Sequence, residues 1–317
     1  MSKPIVAVTA PLSVDVTAYL SDIAEVRLLD PARRQDVLAG VAGASGILSM
    51  LSDAVNDELF DAAGAQLQVC ANYAVGYNNM DLAAARARGI VCSNTPDVLT
   101  LATAELAWSL LFAAARRTVE GDAMMRRGEF HGWKATMLLG ADITGRTLGI
   151  IGAGRIGQAM ARMARGFEMQ VFYYNRTPKP TFEAATGAKF VPLDELLVSS
   201  DFVSLHLPYT PDLHHLIGAD AFAKMKPSAI FINTGRGACV DEDALVQALR
   251  NGQIAAAGLD VYEREPAMAK GLADLPNAVL LPHLGSATVN ARTAMAKMAC
   301  DNIRAVLTGQ KAPQGLG

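Results

Sequence analysis

Short continuous runs of apolar and β-branched residues recur along the chain, and amphipathic stretches separate them. In the first third of the sequence the runs that predict strands are PIVAVTA, EVRLLD, SGILSM, LQVCANY and GIVCSNTP. The stretches between them, among them NDELFDAAGA and MDLAAARARG, have the apolar spacing of surface helices. Continuous apolar strands that alternate with helices are typical of a parallel sheet covered on both faces.

A long Ala- and Leu-rich stretch follows, which predicts one helix from about Leu99 to Arg127. A second series of strands comes after it, in the runs TLGIIG, QVFYYN, DFVSLHLP, AIFINTG, IAAAGLDV and AVLLPH. The last predicted helix is capped by Ser286 and ends at Gly309. The pattern predicts an α/β fold of two doubly wound parallel-sheet domains, joined by long helices and divided near residue 100.

Composition and charge narrow the class of protein. The 317 residues are enough for two domains, and 51% hydrophobic with 19% charged residues is typical of a compact globular chain. The net charge of −3 and the scattered Lys and Arg residues give no support to a nucleic-acid partner or to an anionic membrane surface. The cysteines form no CxxC pair, which is typical of reduced thiols in a cytoplasmic protein.

Two apolar stretches could be taken for targeting or membrane segments. The N-terminal MSKPIVAVTAPLSVDV is interrupted by prolines and Asp15, so it predicts a first strand rather than a signal peptide. TLATAELAWSLLFAAARR carries Glu105 and ends in paired arginines before it reaches the ~18 clean apolar residues of a membrane span. We therefore expect a cytoplasmic protein with no membrane partner.

A glycine-rich loop follows the strand TLGIIG and opens a predicted helix. It consists of Gly152, Ala153, Gly154, Arg155, Ile156 and Gly157. In a G-x-G-x-x-G loop the first glycine permits a tight turn, the second lets a pyrophosphate approach the helix N-terminus, and the third lets the helix pack on its strand. The strand–loop–helix context therefore predicts a dinucleotide site.

The acidic residue that binds the adenosine ribose of NAD is missing from its expected position. About 20 residues after the loop an Asp or Glu should accept hydrogen bonds from the ribose hydroxyls. This chain has Asn175, Arg176 and Thr177 there, which remove the repulsion of a 2′-phosphate and supply a guanidinium to bind it. We expect NADP(H) to be preferred; if Arg176 only extends into solvent, NAD(H) remains the cofactor.

Polar residues follow the later strands at positions where they can meet in one crevice. Arg236 follows FINTG, Asp260 ends IAAAGL, Glu265 lies in the next loop, and His283 follows VLLP. A 2-oxo acid needs a cation for its carboxylate and a proton donor for its carbonyl oxygen. A carboxylate beside the histidine would favour the imidazolium and orient the ring.

Together these motifs resemble those of the D-isomer-specific 2-hydroxyacid dehydrogenases, and most closely their glyoxylate/hydroxypyruvate reductase branch. The likeness runs through ANYAVGYNNMDLAAARARGI, NTPDVLTLATAELAW, LGADITGRTLGIIGAGRIGQAMA, INTGRGACVDEDALVQAL, AAAGLDVYEREP and LLPHLGSAT. NRTP at the ribose position matches the NADPH-preferring branch.

The resemblance implies a role for each candidate residue. Arg236 would anchor the substrate carboxylate, His283 would act as general acid/base, and Glu265 would be the partner of His283. The main chain around Val75 and Gly76 would help to bind the carboxylate. Further cofactor contacts implied are Thr103, Leu207, Pro208, Thr234, Gly235 and Gly285, with Arg236, Asp260 and His283, where Asp260 helps to seat the nicotinamide; no metal is implied.

The resemblance also implies the domain organisation and the oligomer. Residues 1–98 and 287–317 would form a flavodoxin-like substrate-binding domain, and residues 99–286 an inserted Rossmann NAD(P)-binding domain. The family implies a homodimer closed by the long helices, and the apolar character of TLATAELAWSLLFAAARR on several faces points the same way. Trp133 would then either reach the substrate site of the partner subunit or pack in the interface.

Other titratable residues have ordinary explanations in the sequence. His206 ends a strand and is expected to be a packing or adenine-side residue. His214 and His215 resemble an exposed helix start, because no third ligand is spaced for a metal. Cys239 has no histidine base near it in the sequence, so we expect a buried thiol.

We therefore expect NADPH-dependent reduction of small 2-oxo acids, glyoxylate and hydroxypyruvate first, by hydride transfer. One alternative is another member of the same family, of the D-lactate or phosphoglycerate dehydrogenase type. A long C-terminal regulatory domain, common in the latter, is not expected here. The second alternative is a dinucleotide-sensing binding protein that resembles the co-repressors of this fold, since such proteins can keep the catalytic residues.

Overall fold

The structure is a computed structural model that describes residues 3–12 and 14–316. The chain divides into two compact units. Met1–Leu99 and Ser286–Gly317 form the first unit, and Thr100–Gly285 form the second. The chain ends of the predicted substrate-binding domain, residues 1 and 317, lie outside the described residues.

The first unit is built on a six-stranded sheet in the described part of the chain. Its strands are β1 (Ile5–Val8), β2 (Glu25–Leu28), β3 (Gly46–Ser49), β4 (Val69–Asn72), β5 (Val91–Ser93) and β13 (Gly315–Leu316), in the order β13-β5-β4-β3-β1-β2. Its helices are α1 (Val16–Leu20), α2 (Arg34–Gly40), α3 (Asp57–Ala63), α4 (Leu82–Ala87) and α12 (Val289–Leu307). β1 to β5 pair in parallel, and β13 pairs antiparallel with β5. β3 and β4 are buried along their whole length, which explains their continuous apolar sequence.

The second unit is built on a seven-stranded sheet, counted over the described residues. Its strands are β6 (Thr147–Ile151), β7 (Gln170–Tyr174), β8 (Lys189–Phe190), β9 (Phe202–Leu205), β10 (Ile230–Asn233), β11 (Ala256–Leu259) and β12 (Ala278–Leu280), in the order β12-β11-β10-β9-β6-β7-β8. Its helices are α5 (Thr100–Ala115), α6 (Thr118–Arg126), α7 (Arg155–Ala164), α8 (Pro180–Thr186), α9 (Leu193–Ser199), α10 (Ala219–Lys224) and α11 (Glu242–Arg250). All of these strand pairs are parallel, and the strand order reverses at β6, between β7 and β9. The predicted α/β class with two parallel sheets is confirmed.

The helix predicted from Leu99 to Arg127 is two helices. α5 ends at Ala115 and α6 begins at Thr118, because Arg117 between them takes a left-handed backbone conformation with φ of 51°. α5 packs against α7, β10 and β11 of its own unit, and its buried residues include Ala104, Trp108 and Leu111. Contacts inside the unit therefore account for most of the apolar surface of α5, although Leu101 stays 58% exposed.

The N-cap predicted for the last helix was wrong by two residues. α12 is capped by Thr288, whose hydroxyl accepts the N–H of Ala291 at 3.2 Å. Ser286 instead offers its backbone oxygen to the N–H of Thr288, at 2.8 Å. Both serine and threonine are good N-caps. The conformation of the turn before α12, and not the residue type, therefore decides which of the two caps the helix.

Among the helices of the described residues, none has the length and apolar character required to cross a membrane.

Candidate active site

The glycine loop joins β6 to α7 and is tight at two of its glycines. Gly152 has φ of 101°, and a Cβ there would lie 2.9 Å from the carbonyl carbon of His206. A Cβ on Gly157 would lie 2.2 Å from the backbone oxygen of Gly152. Gly154 is the N-cap of α7, and a Cβ there would meet nothing within 4 Å. The open space at the helix N-terminus fits a dinucleotide pyrophosphate, which that end of the helix attracts.

The residues between the glycines of this loop differ in their burial. Ala153 is fully buried, Ile156 is partly buried, and Arg155 is exposed. The predicted ribose segment follows β7, with Arg176 and Thr177 exposed to solvent. The side-chain amide of Asn175 donates to the backbone oxygen of Thr177 at 3.0 Å. This segment therefore presents a cation and a hydroxyl, and no carboxylate of its own, to a group bound beside it.

His206 follows β9 directly before Leu207 and Pro208, and its ring connects the ends of β9 and β10. Its Nε2 lies 2.9 Å from Oγ of Ser204, and its Nδ1 lies 3.3 Å from Oγ1 of Thr234. Burial lowers the pKa of His206 to about 4. The ring is therefore neutral at physiological pH, which suits a packing residue. Next to Thr234, the N–H of Gly235 donates to Oδ1 of Asn233 at 2.9 Å.

Arg236 follows the end of β10 and is partly buried. Its Nη1 donates to the backbone oxygen of Gly235 at 2.7 Å. Burial lowers the pKa of the guanidinium, and the negative charge of Glu265 acts in the opposite direction. A Cβ on Gly237 would lie 1.9 Å from the carbonyl carbon of Tyr262, so only glycine permits this close approach of the two loops. The approach brings the Arg236 loop beside the loop that carries Glu265.

His283 and Glu265 form a pair at the carboxyl edge of the same sheet. Nδ1 of His283 lies 2.8 Å from Oε2 of Glu265, and both side chains are about one-third exposed, at 33% and 36%. The other carboxylate oxygen of Glu265 accepts the N–H of Tyr262 at 3.0 Å. Burial raises the pKa of Glu265, but the hydrogen bond and charge of His283 outweigh it, so the pKa is lowered. The pair is thus an ionised carboxylate that orients an accessible imidazole.

Asp260 is buried and organises the turn that presents His283. Its carboxylate accepts the N–H groups of Leu284 at 2.6 Å and Gly285 at 2.8 Å, while its backbone oxygen accepts the N–H of His283 at 2.9 Å. Burial raises the pKa of Asp260, against the effect of these N–H groups and of the charge of His283. Thr103 of α5 donates to the backbone oxygen of Gly285 at 3.0 Å. These bonds hold His283 in a left-handed conformation, with φ of 56°, that few non-glycine residues adopt.

Sequence reasoning missed Glu242, which holds the other side of the Glu265 loop. This side chain is only 5% exposed, although it begins α11 within a run of acidic residues that suggests a solvated helix start. Its two carboxylate oxygens accept the N–H groups of Glu263 at 2.7 Å and Ala269 at 2.9 Å. Nothing in the local sequence indicates that this acid, unlike its neighbours, is buried against the loop.

Val75 and Gly76 lie in the first unit, in the loop after β4. The amide of Asn94 donates to the backbone oxygen of Val75 at 2.7 Å, and that of Asn72 donates to the oxygen of Gly76 at 2.8 Å. These bonds define the conformation of the loop. Its role in binding a substrate carboxylate stays a prediction.

The remaining candidates differ in outcome. Cys239 is buried, and burial raises the pKa of its thiol to about 11 despite the opposing charge of Arg236, as expected of an unreactive thiol. The expectation that His214 and His215 have no third ligand near them was wrong. Glu263, 48 residues from His215 along the chain, brings its carboxylate to 3.2 Å from the Nε2 of His215.

Comparisons with known proteins agree with this arrangement. Residues 108–285 match the family model described as D-isomer specific 2-hydroxyacid dehydrogenase, NAD binding domain. The glyoxylate reductase of Thermococcus onnurineus is 46% identical, over 98% of this chain and 95% of that protein.

Two solved structures are similar over nearly the whole chain. A protein of Thermus thermophilus has a TM-score of 0.92 at 44% identity and covers 99% of this chain and 100% of its own. The NADPH-dependent glyoxylate/hydroxypyruvate reductase of Sinorhizobium meliloti, in complex with NADP and malonate, has a TM-score of 0.88 at 35% identity and covers 100% of this chain and 97% of its own. The glycine loop, the His283–Glu265 pair and these matches confirm the resemblance seen in the sequence: the chain belongs to the D-isomer-specific 2-hydroxyacid dehydrogenase family.

Proposed function

We propose that this protein reduces small 2-oxo acids, glyoxylate first and hydroxypyruvate with it, and that NADPH is the reductant. The observation that carries the proposal is the His283–Glu265 pair, 2.8 Å apart, on the same sheet edge as Arg236. The names of the relatives support the substrate class, since a glyoxylate reductase is 46% identical and an NADPH-dependent glyoxylate/hydroxypyruvate reductase is 35% identical.

In this proposal the second unit holds the cofactor. The open N-terminus of α7 at Gly154 binds the pyrophosphate, and Arg176, with Asn175 and Thr177 beside it, binds the 2′-phosphate. Residues 1–98 and 287–317 form the substrate-binding domain, and residues 99–286, which include Arg236 and His283, form the dinucleotide-binding domain.

The chain's own residues then position the substrate and deliver the proton. Arg236 binds the substrate carboxylate with its planar guanidinium. Nδ1 of His283 is engaged by Glu265, so Nε2 is the ring nitrogen that can protonate the carbonyl oxygen. When bound, the reduced nicotinamide supplies the hydride for the carbonyl carbon. Hydride and proton together convert the 2-oxo group to a hydroxyl, and most of the rate enhancement comes from positioning and charge.

We also propose that the protein is a homodimer. The support is a group of large apolar side chains that stay exposed in α6 and in the segment after it. They are Val119 (53%), Met125 (60%), Phe130 (45%), Trp133 (80%) and Leu139 (66%). Clustered exposed apolar residues are typical of protein interfaces. Whether Trp133 reaches the active site of the partner subunit stays a prediction.

The first experiment compares turnover of 2-oxo acids. We expect NADPH absorbance to fall when glyoxylate or hydroxypyruvate is added, with kcat/KM higher than for pyruvate or 3-phosphohydroxypyruvate. A preference for pyruvate would indicate a D-lactate dehydrogenase, and a preference for the phosphorylated acid a phosphoglycerate dehydrogenase. NADPH binding without turnover of any of these acids would indicate a dinucleotide-sensing protein.

The second prediction concerns the pH dependence of reduction. Replacing Glu265 by Gln removes the charge that favours the imidazolium, so the Glu265→Gln variant should lose reductase activity at a lower pH than the wild type. His283→Ala removes the general acid/base altogether and should lower kcat by a factor of roughly 10²–10⁴, which sets the lowest activity expected in the comparison. Glu263→Gln is the matched control, because that carboxylate contacts His215 instead. Equal pH profiles for Glu265→Gln and wild type would contradict the role given to the pair.

The third prediction concerns the guanidinium of Arg236. Arg236→Lys keeps a positive charge but loses the planar fork, so kcat/KM for glyoxylate should fall about ten- to a hundredfold, the loss of one charge-assisted hydrogen bond. NADPH affinity should stay near that of the wild type. Arg264→Lys, at an exposed cation on the neighbouring loop, is the control and should change neither constant. Wild-type activity in Arg236→Lys would remove Arg236 from the mechanism.

The fourth prediction concerns the choice of cofactor. Arg176→Ala should weaken NADPH by about ten- to a few hundredfold, because one or two charge-assisted hydrogen bonds are lost, and should leave NADH almost unchanged. Asn175→Asp should favour NADH further, since it repels the phosphate and accepts from the ribose hydroxyls. The measurement is KM for each cofactor at saturating glyoxylate, with Lys189→Ala as a control at an exposed cation on β8. Cofactor constants that change together in Arg176→Ala would show that Arg176 is only a solvated charge.

A further inference from the structure

The described residues of the second unit bring together a second group of side chains with metal-ligating atoms. His214, His215 and Glu263 each offer one ligand atom, and these atoms all lie within 4.8 Å of one another. His214 is exposed, while His215 and Glu263 are partly buried. The group is therefore open to an ion from solvent, and two of its members have limited freedom to move away.

The backbone holds the two imidazoles side by side. His215 takes a left-handed conformation with φ of 52°, which is uncommon for a residue other than glycine. The rings of the two neighbouring histidines stack, with centroids 3.9 Å apart and planes inclined by 22°. The nitrogen lone pairs of stacked rings lie in nearly parallel planes, so the exposed His214 ring must turn for both imidazoles to bind one ion.

Both segments that carry the ligands are anchored through their main chains. The N–H of His215 donates to the backbone oxygen of Ala238 at 3.1 Å, and the N–H of Glu263 donates to the buried carboxylate of Glu242 at 2.7 Å. The ligand atoms of His215 and Glu263 are 3.2 Å apart. Two ligands on a tetrahedral zinc ion, at ~2.0–2.1 Å from the metal, are separated by roughly 3.3 Å. This edge of the site already has the spacing that the ion needs.

A simple hydrogen-bonded pair is the competing explanation. It accounts for the contact between His215 and Glu263, and it leaves His214 in ring contacts with His215 and, edge-on, with Tyr209. A metal ion uses all three groups. Two nitrogen ligands and one carboxylate suit Zn²⁺ and similar borderline ions, whereas Mg²⁺ and Ca²⁺ prefer oxygen ligands throughout.

We propose that His214, His215 and Glu263 form a binding site for a divalent transition-metal ion of the Zn²⁺ class, with water completing its coordination. The site is separate from the His283–Glu265 pair and does not depend on the proposed reductase activity. By tying the His214–His215 segment to the loop of Glu263, the ion would stabilise the folded chain in proportion to its saturation.

The test is a calorimetric titration of the full chain, treated with EDTA and dialysed, with ZnCl₂ at neutral pH. We expect one Zn²⁺ per chain in the wild type and in the control His131→Ala, an exposed histidine elsewhere in the same unit. His215→Ala and Glu263→Gln should each bind Zn²⁺ at least about tenfold more weakly, because changes outside the ligand shell alone cost ~10–100-fold in affinity. MgCl₂ should give no saturable binding.

Two further measurements, the Tm with Zn²⁺ and the binding of Zn²⁺ by His283→Ala, test whether the ion binds at the proposed site. At the same Zn²⁺ concentration, Zn²⁺ should raise the Tm of the wild type more than that of Glu263→Gln. Glu263→Gln also serves if His215→Ala does not fold. His283→Ala should bind Zn²⁺ as the wild type does. Loss of binding in His283→Ala would place the ion at the candidate active site and overturn the proposal. Unchanged affinity in both His215→Ala and Glu263→Gln, or no saturable binding by the wild type, would overturn it as well.

Discussion

All paired strands of the seven-stranded sheet run in the same direction, so their carboxyl ends meet along one edge. Every residue to which the candidate site in the second unit assigns a role, apart from Thr103, follows one of these ends. Gly152 follows β6, Arg176 follows β7, Arg236 follows β10 and His283 follows β12. Residues more than a hundred positions apart in sequence are thereby collected at one edge. The reversal of strand order at β6 provides the crevice in which dinucleotides bind to such sheets.

Buried carboxylates then define the loops that extend beyond this edge. Asp260 accepts N–H groups on both residues that follow His283, and Glu242 accepts N–H groups at both ends of the segment after Tyr262. Removing a carboxylate from water is costly, but charge-assisted hydrogen bonds to backbone N–H groups offset much of that cost. These acids act as structural supports, while Glu265 remains partly exposed and ionised beside the imidazole. Position in the fold, and not residue type, separates the supporting acids from the one that faces His283.

The same loops connect the candidate active site to the proposed metal site. Glu263 faces His215 while Glu265, two residues later, faces His283. Side chains two residues apart point to the same side of an extended segment, so these two can face different partners only because the chain bends between them. Here the backbone N–H of Glu263 is bound by Glu242 and that of Tyr262 by Glu265, which fixes the path of the segment. One short loop can therefore serve two separate sites.

The sequence by itself determined the strands of both sheets, apart from the two-residue strands β8 and β13, whose length is too short to produce a pattern. It also indicated the glycine loop, the pairing of Glu265 with His283 and Arg236 as a candidate at the same sheet edge, because these residues lie in local motifs. Packing and turn geometry decided that the long helix is interrupted at Arg117 and that Thr288 caps α12. The identities of the neighbouring residues do not encode that geometry. Only the tertiary structure buried Glu242 and brought Glu263 to His215, since these contacts join segments 21 and 48 residues apart. Such contacts depend on where the loops after β10 and β11 lie in space, and the hydrophobic pattern along the chain does not predict that position.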